Sequence, residues 1–129
     1  MDRRTLRWYH NLYADINNRI TAFKSSTSNR LAQNYVSGGT ALSRNHTTSS
    51  LSWIHLAITI SQANDRVIYY LNGSAVETDT GLGTFAGAAA TMYLGTQTPA
   101  STPWKGYLAH CAIFDGELTD PQIATLATV

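Results

Sequence analysis

Eight acidic residues, nine basic residues and four histidines make up the ionisable side chains most used in catalysis. Glu77 and Asp79 come nearest to a catalytic arrangement. Two positions apart on a strand, they share one face, where a carboxylate pair could supply the nucleophile and the acid of glycoside hydrolysis. They also follow a tight hairpin signal, where such a pair is ordinarily a solvated strand face, and that is the reading adopted. Asp115-Gly116-Glu117 repeats the spacing, but Gly116 and the helix signal behind it make this stretch a turn.

The remaining reactive groups are scattered. His10, His46, His55 and His110 share no metal-ligand spacing. Cys111 stands beside His110, yet adjacent strand residues face opposite ways, so the pair is poorly placed to chelate one ion. Each histidine reads as packing. Serines are numerous, but no nucleophile-elbow glycine pattern accompanies them. One cysteine excludes an internal disulfide, and its apolar surroundings predict a buried structural thiol. Trp8, Tyr93 and Trp104 could stack on the apolar faces of sugar rings, with the polar side chain of Gln97 nearby. Arg3, Arg4 and Arg7 read as a solvated arm or a contact to a neighbouring subunit rather than as a phosphate site. Together these seven residues are the candidate contacts to a partner or ligand.

Period-two alternation predicts the elements that must position them. Trp53 to Ile60 alternates, with Ile54, Leu56, Ile58 and Ile60 on one face. In Arg66 to Leu71, Val67, Tyr69 and Leu71 share a side. Asn72-Gly73 then offers the two positive-φ positions of a type I′ turn, and Ser74 to Thr78 returns. Tyr107 to Phe114 is apolar on both faces, as in a strand covered on both sides. At the end, Thr119 as N-cap with Gln122 at N3 forms a capping box, and Leu118 and Ile123 form the hydrophobic staple. The predicted helix runs from Asp120 to Ala127, with Pro121 in its first turn.

The first fifty residues carry two periodicities. Leu6, Tyr9, Tyr13, Ile16, Ile20 and Phe23 step by three and four, whereas Leu6, Trp8, His10, Leu12, Ala14 and Ile16 alternate. Frequent aromatic and β-branched residues favour strands, and Asn17-Asn18 reads as a turn. Thr40 to Ser50 and Gly81 to Ala90 are rich in small residues and predict loops.

In this order, the Trp53 strand, the Asn72-Gly73 hairpin, Met92-Tyr93-Leu94-Gly95, Trp104 to Asp115 and the Leu118 to Ile123 helix start resemble the C-terminal half of a laminin-G-like, pentraxin-like domain. Asn17 to Phe23 and Arg30 to Gly39 are similar to the meander that precedes it. The resemblance implies an all-β fold of the concanavalin A-like class: a two-sheet antiparallel jelly-roll sandwich with a short C-terminal helix. Residues 1–129 would be a single domain, lacking the strands that the family places before Leu6. It also implies that Trp53 and Trp104 pack into the core. Glucanases of the class carry Glu-x-Asp-x-x-Glu, and here Leu82 stands where the second glutamate would follow Glu77 and Asp79. Many relatives hold calcium, which needs about six oxygen ligands. Asn64-Asp65 is the nearest candidate, and turn formation is the reading preferred, so no cofactor is expected.

Composition narrows the role. Hydrophobic residues make up 43% of the chain and charged residues 13%, about half the usual charged share. A formal net charge of +1 provides no field to steer the chain to nucleic acid or acidic lipid. No apolar run has the length of a secretory signal or a membrane span. The sequons at Asn45 and Asn72 read as turn chemistry. The expectation is a non-catalytic surface component of a larger assembly: a phage capsid decoration (cement) protein or tail-associated adhesive module, or a bacterial cell-surface component. Its partners would be its own subunits or a scaffold. The alternatives are a free-standing carbohydrate-binding module and, behind it, a glycoside hydrolase relative.

Overall fold

The first half of the chain is built from consecutive hairpins. β1 (Trp8–Asp15), β2 (Asn18–Lys24), β3 (Arg30–Ser37) and β4 (Thr40–Thr47) each pair antiparallel with the strand before. The structure is a computed structural model that describes residues 8–25, 27, 29–48, 52–96 and 107–128, with side chains from residue 12 onward. Its residues divide into two compact units, the first from residues 1–49 and 83–110 and the second from residues 50–82 and 111–129.

In the first unit the alternating reading of the opening segment wins over the helical one. The sheet order is β4-β3-β2-β1-β8, with β8 (Thr91–Tyr93) added on the far side of β1. Asp15 closes the first turn: its carboxylate accepts from the Asn17 N–H at 2.7 Å and from the Asn18 side-chain amide at 3.1 Å. Gly38 (φ 54°) and Gly39 (φ 84°) turn the chain from β3 into β4, at dihedrals only glycine adopts without strain.

β3 is the buried strand, with Leu31, Ala32, Tyr35 and Val36 nearly inaccessible, and the Tyr35 ring lies 5.9 Å from that of Phe85. Buried Asn18 links three segments through its side chain. Besides its bond to Asp15, its Oδ1 accepts from Gly38 N at 3.1 Å and Ala86 N at 2.8 Å.

The second unit holds β5 (Leu56–Ser61), β6 (Arg66–Leu71) and β7 (Ser74–Thr80) in that order, followed by α1 (Asp120–Leu126). β6 is central, and Val67, Tyr69 and Tyr70 are fully buried. A register shift between Tyr69 and Tyr70 accommodates both rings. Asn72 (φ 50°) and Gly73 (φ 81°) make the expected turn. The cap of α1 is also as expected, with Gln122 Oε1 accepting from Thr119 N at 2.8 Å, and Ile123 is its buried residue.

Four expectations are corrected. Thr40–Thr47 is a strand, not a loop; the glycine turn sends it back along β3, and small polar residues suit an edge strand with one wet face. Trp53, expected in the core, is 69% exposed, and its strand begins only at Leu56. The reason is local: the ladder ends where Asn72 turns the chain and binds back to His55, through Asn72 N to His55 O at 2.8 Å and His55 N to Asn72 Oδ1 at 3.0 Å. Trp53 therefore lies beyond the last rung.

Tyr107–Phe114 belongs to no described strand and is exposed throughout; His110 at φ 53° breaks the extended run. Cys111 is accordingly exposed rather than buried.

Candidate functional site

Of the seven candidate contact residues, two lie among those described. Trp8 opens β1 and Tyr93 ends β8, so both fall on the two strands at one side of the first unit's sheet. The register is Asn11↔Tyr93, Leu12↔Met92 and Tyr13↔Thr91. The Tyr93 ring meets that of Tyr13 edge-on, with centroids 6.3 Å apart and planes at 62°, a geometry worth about 0.5–1.5 kcal/mol beyond its buried area. Beside it Met92 is 37% and Leu94 51% exposed. Arg3, Arg4, Arg7, Gln97 and Trp104 lie outside the described residues.

A second arrangement, not anticipated from sequence, lies within the other unit. Arg66, Ile68 and Tyr70 of β6 and Glu117 to Asp120 line an open groove of about 290 Å³. Arg66 Nε donates to Glu117 Oε1 at 2.8 Å, and Tyr70 OH donates to Asp120 Oδ1 at 2.7 Å. The hydrogen bond from Arg66 holds the Glu117 carboxyl below its usual range, and the same contact raises the Arg66 guanidinium. Burial, then the bond to Asp120, pushes the Tyr70 phenol up. Glu117 is therefore a fixed carboxylate acceptor, and Tyr70 a neutral donor. Held ionised, Glu117 is placed as a hydrogen-bond acceptor rather than as a proton donor. The groove instead ties the start of α1 to the central strand and leaves an exposed guanidinium edge beside Ile68 and Leu118.

The other candidates resolve into structural roles or surface positions. Glu77 is exposed on β7 and Asp79 half-buried beside it. Leu82 is buried. Asp65, the nearest calcium candidate, has both carboxylate oxygens engaged, with Oδ2 accepting from Gly81 N and Oδ1 from Leu82 N, each at 2.9 Å. Those two bonds lower its pKa, and they are the turn role preferred from sequence. No three His, Cys, Asp or Glu residues cluster to hold a metal among the described residues. His46 Nε2 lies 2.7 Å from Gln33 Oε1, both side chains being buried, and burial lowers the histidine pKa. Desolvation raises the Cys111 pKa, so the group is a thiol rather than a reactive thiolate. No described helix is long and apolar enough to cross a membrane.

Comparison with known proteins agrees with this architecture. The family model described as the concanavalin A-like lectin/glucanases superfamily, of laminin-G type, matches residues 4–124. No curated protein matches the chain. Among solved structures, the chain is similar to residues 221–444 of an S-layer domain-containing protein from Clostridium thermocellum. The TM-score is 0.51 and the identity 22%, over 98% of this chain and 65% of that one. The chain thus spans about two thirds of that structure's length, and the likeness is one of fold.

Proposed function

Since the chain belongs to the laminin-G-like branch of the concanavalin A-like lectin/glucanase superfamily, we propose that it is a non-catalytic binding module and a surface component of a larger assembly. The carrying observation is its apolar surface. Tyr107 is 86% exposed, Trp53 69%, Ile16 61%, Ile113 60% and Leu94 51%. Large apolar side chains at these positions support the reading that a partner covers part of the surface, and a chain with 13% charged residues has little else to keep such surfaces apart. The fold likeness to an S-layer domain-containing protein supports a surface assembly. The finer assignment is a layer on a particle, either a phage capsid decoration or tail-associated adhesive protein, and a bacterial cell-surface layer draws on the same features.

A second reading, a sugar-binding module acting as a monomer, is favoured by the groove beside Arg66. Its guanidinium edge and carboxylates could meet hydroxyl groups while Ile68 and Leu118 meet an apolar ring face.

Sedimentation velocity over a wide concentration range, run beside a glycan-binding screen and a reducing-end assay, tests the proposal. Assembly into larger species without release of reducing ends is the expected result. A persistent monomer that binds sugars would replace it with the second reading, and released reducing ends would overturn the non-catalytic assignment.

A further inference from the structure

Resting on the assembly reading, we infer that β8 is a self-pairing edge: two copies join β8 to β8 antiparallel, continuing the sheet of one first unit into that of the other. Thr91, Met92 and Tyr93 pair with β1 on one side, and β8 is the outermost strand among the described residues. An outer strand presents a row of backbone donors and acceptors that another strand can meet.

The choice of a second copy follows from charge. From Thr80 to Trp104 the sequence contains no charged residue, and the β1 positions in register with β8, Asn11 to Tyr13, carry none. A copy brought against this edge therefore introduces no like-charge pair and buries no ion. The opposite edge of the same sheet, β4, carries Arg44, and β7 of the second unit carries Glu77 and Asp79; self-pairing there would set like charges together. β5 is uncharged as well, but it presents no exposed large apolar side chain such as Met92.

Side chains reinforce the choice. Met92 is exposed at the centre of β8, so its side chain is available to a facing strand. A two-fold axis at Met92 sets it against the Met92 of the other copy and pairs Thr91 with Tyr93 across the seam, the self-complementarity an isologous contact needs. A strand of three residues offers few ladder bonds, so each contact is weak alone. It becomes effective when many copies are held on one surface, where the next contact forms at high local concentration.

The test uses the whole chain. In Met92→Lys two ammonium groups would face each other across the axis. At a concentration where the wild type is mostly assembled, the variant should be mostly monomeric, with self-association weakened at least tenfold and the melting temperature unchanged. Ser43→Lys, a charge on the exposed β4 edge, should leave assembly intact.

Amide exchange at residues 91–93 should slow as wild-type concentration rises, a readout that stands even if the lysine variant misfolds. Assembly of Met92→Lys like the wild type, or exchange there independent of concentration, overturns the β8 contact and leaves the assembly reading in place. A wild type that stays monomeric at every concentration overturns both.

Discussion

Gly73 and Ala127 are packed so closely that a Cβ on Gly73 would lie 2.9 Å from the Ala127 Cβ, and 3.1 Å from the Ala124 Cα. The hairpin tip between β6 and β7 thus rests directly on the C-terminal helix. Apolar carbons prefer about 3.5–4.0 Å, so no methyl fits. A helix of seven residues is too short to persist alone, and this contact is part of what holds it.

Gly73→Ala should therefore destabilise the protein by about 2–3 kcal/mol, combining overpacking with the strain of a positive φ. Gly81→Ala is the control. Its φ is also positive, at 75°, but an added Cβ meets nothing within 4 Å, so it should cost about 1 kcal/mol. Urea denaturation of the two variants checks the difference.

Tyr70→Phe removes the donor to Asp120 from a fully buried ring and should cost about 1 kcal/mol. Glu117→Gln weakens the link to Arg66, whose side chain is 43% exposed. Screening by water and salt makes that pair worth little, so the variant should melt close to the wild type at high ionic strength. Thermal unfolding in low and high salt separates the two.

The protein should lose stability as pH falls below about 6.5. His46 and His55 both have pKa values lowered from 6.5, in each case by burial. The unfolded chain then binds protons at a pH where the native one does not, so stability rises with pH. The contribution is complete above the unfolded pKa and is lost as pH descends toward the folded value. Denaturation midpoints at pH 8 and pH 5.5 test this, and His46→Gln should flatten part of the slope.

A second acid transition should appear in the carboxylate range. Asp65 is held ionised by the Leu82 and Gly81 amides, and Glu117 by Arg66; lowered carboxylate values give stability that is present above the unfolded pKa and lost below it. Asp65→Asn should shrink this step and speed amide exchange at Gly81 and Leu82. Unchanged exchange at both amides would show that the clamp is not needed.

Local chemistry made some of this structure legible. Asn72-Gly73 specifies its turn through dihedrals, and Thr119 with Gln122 specifies a helix start through one hydrogen bond, so both are found where the residues place them. Strand β4 was hidden because Thr, Ser and Asn at a wet edge look like loop composition. Tyr107–Phe114 misled in the opposite sense, since an apolar run makes a strand only where a ladder accepts it.

The groove could not be read at all. Arg66 meets Glu117 across 51 positions and Tyr70 meets Asp120 across 50, and no periodicity links a strand to a helix cap at that range. The pairing of Tyr93 with β1 was equally hidden, because it is set by the return of the chain rather than by any residue near it.

That return fixes an order of events during synthesis. β1 to β4 are successive hairpins whose partners leave the ribosome one after another, so the meander can form early. β8 emerges only after β5, β6 and β7, and the Asn18–Ala86 bond spans 68 positions. At common elongation rates β1 waits on the order of ten seconds for its outer neighbour. In that interval the side of β1 destined for β8 has no partner among the strands already made.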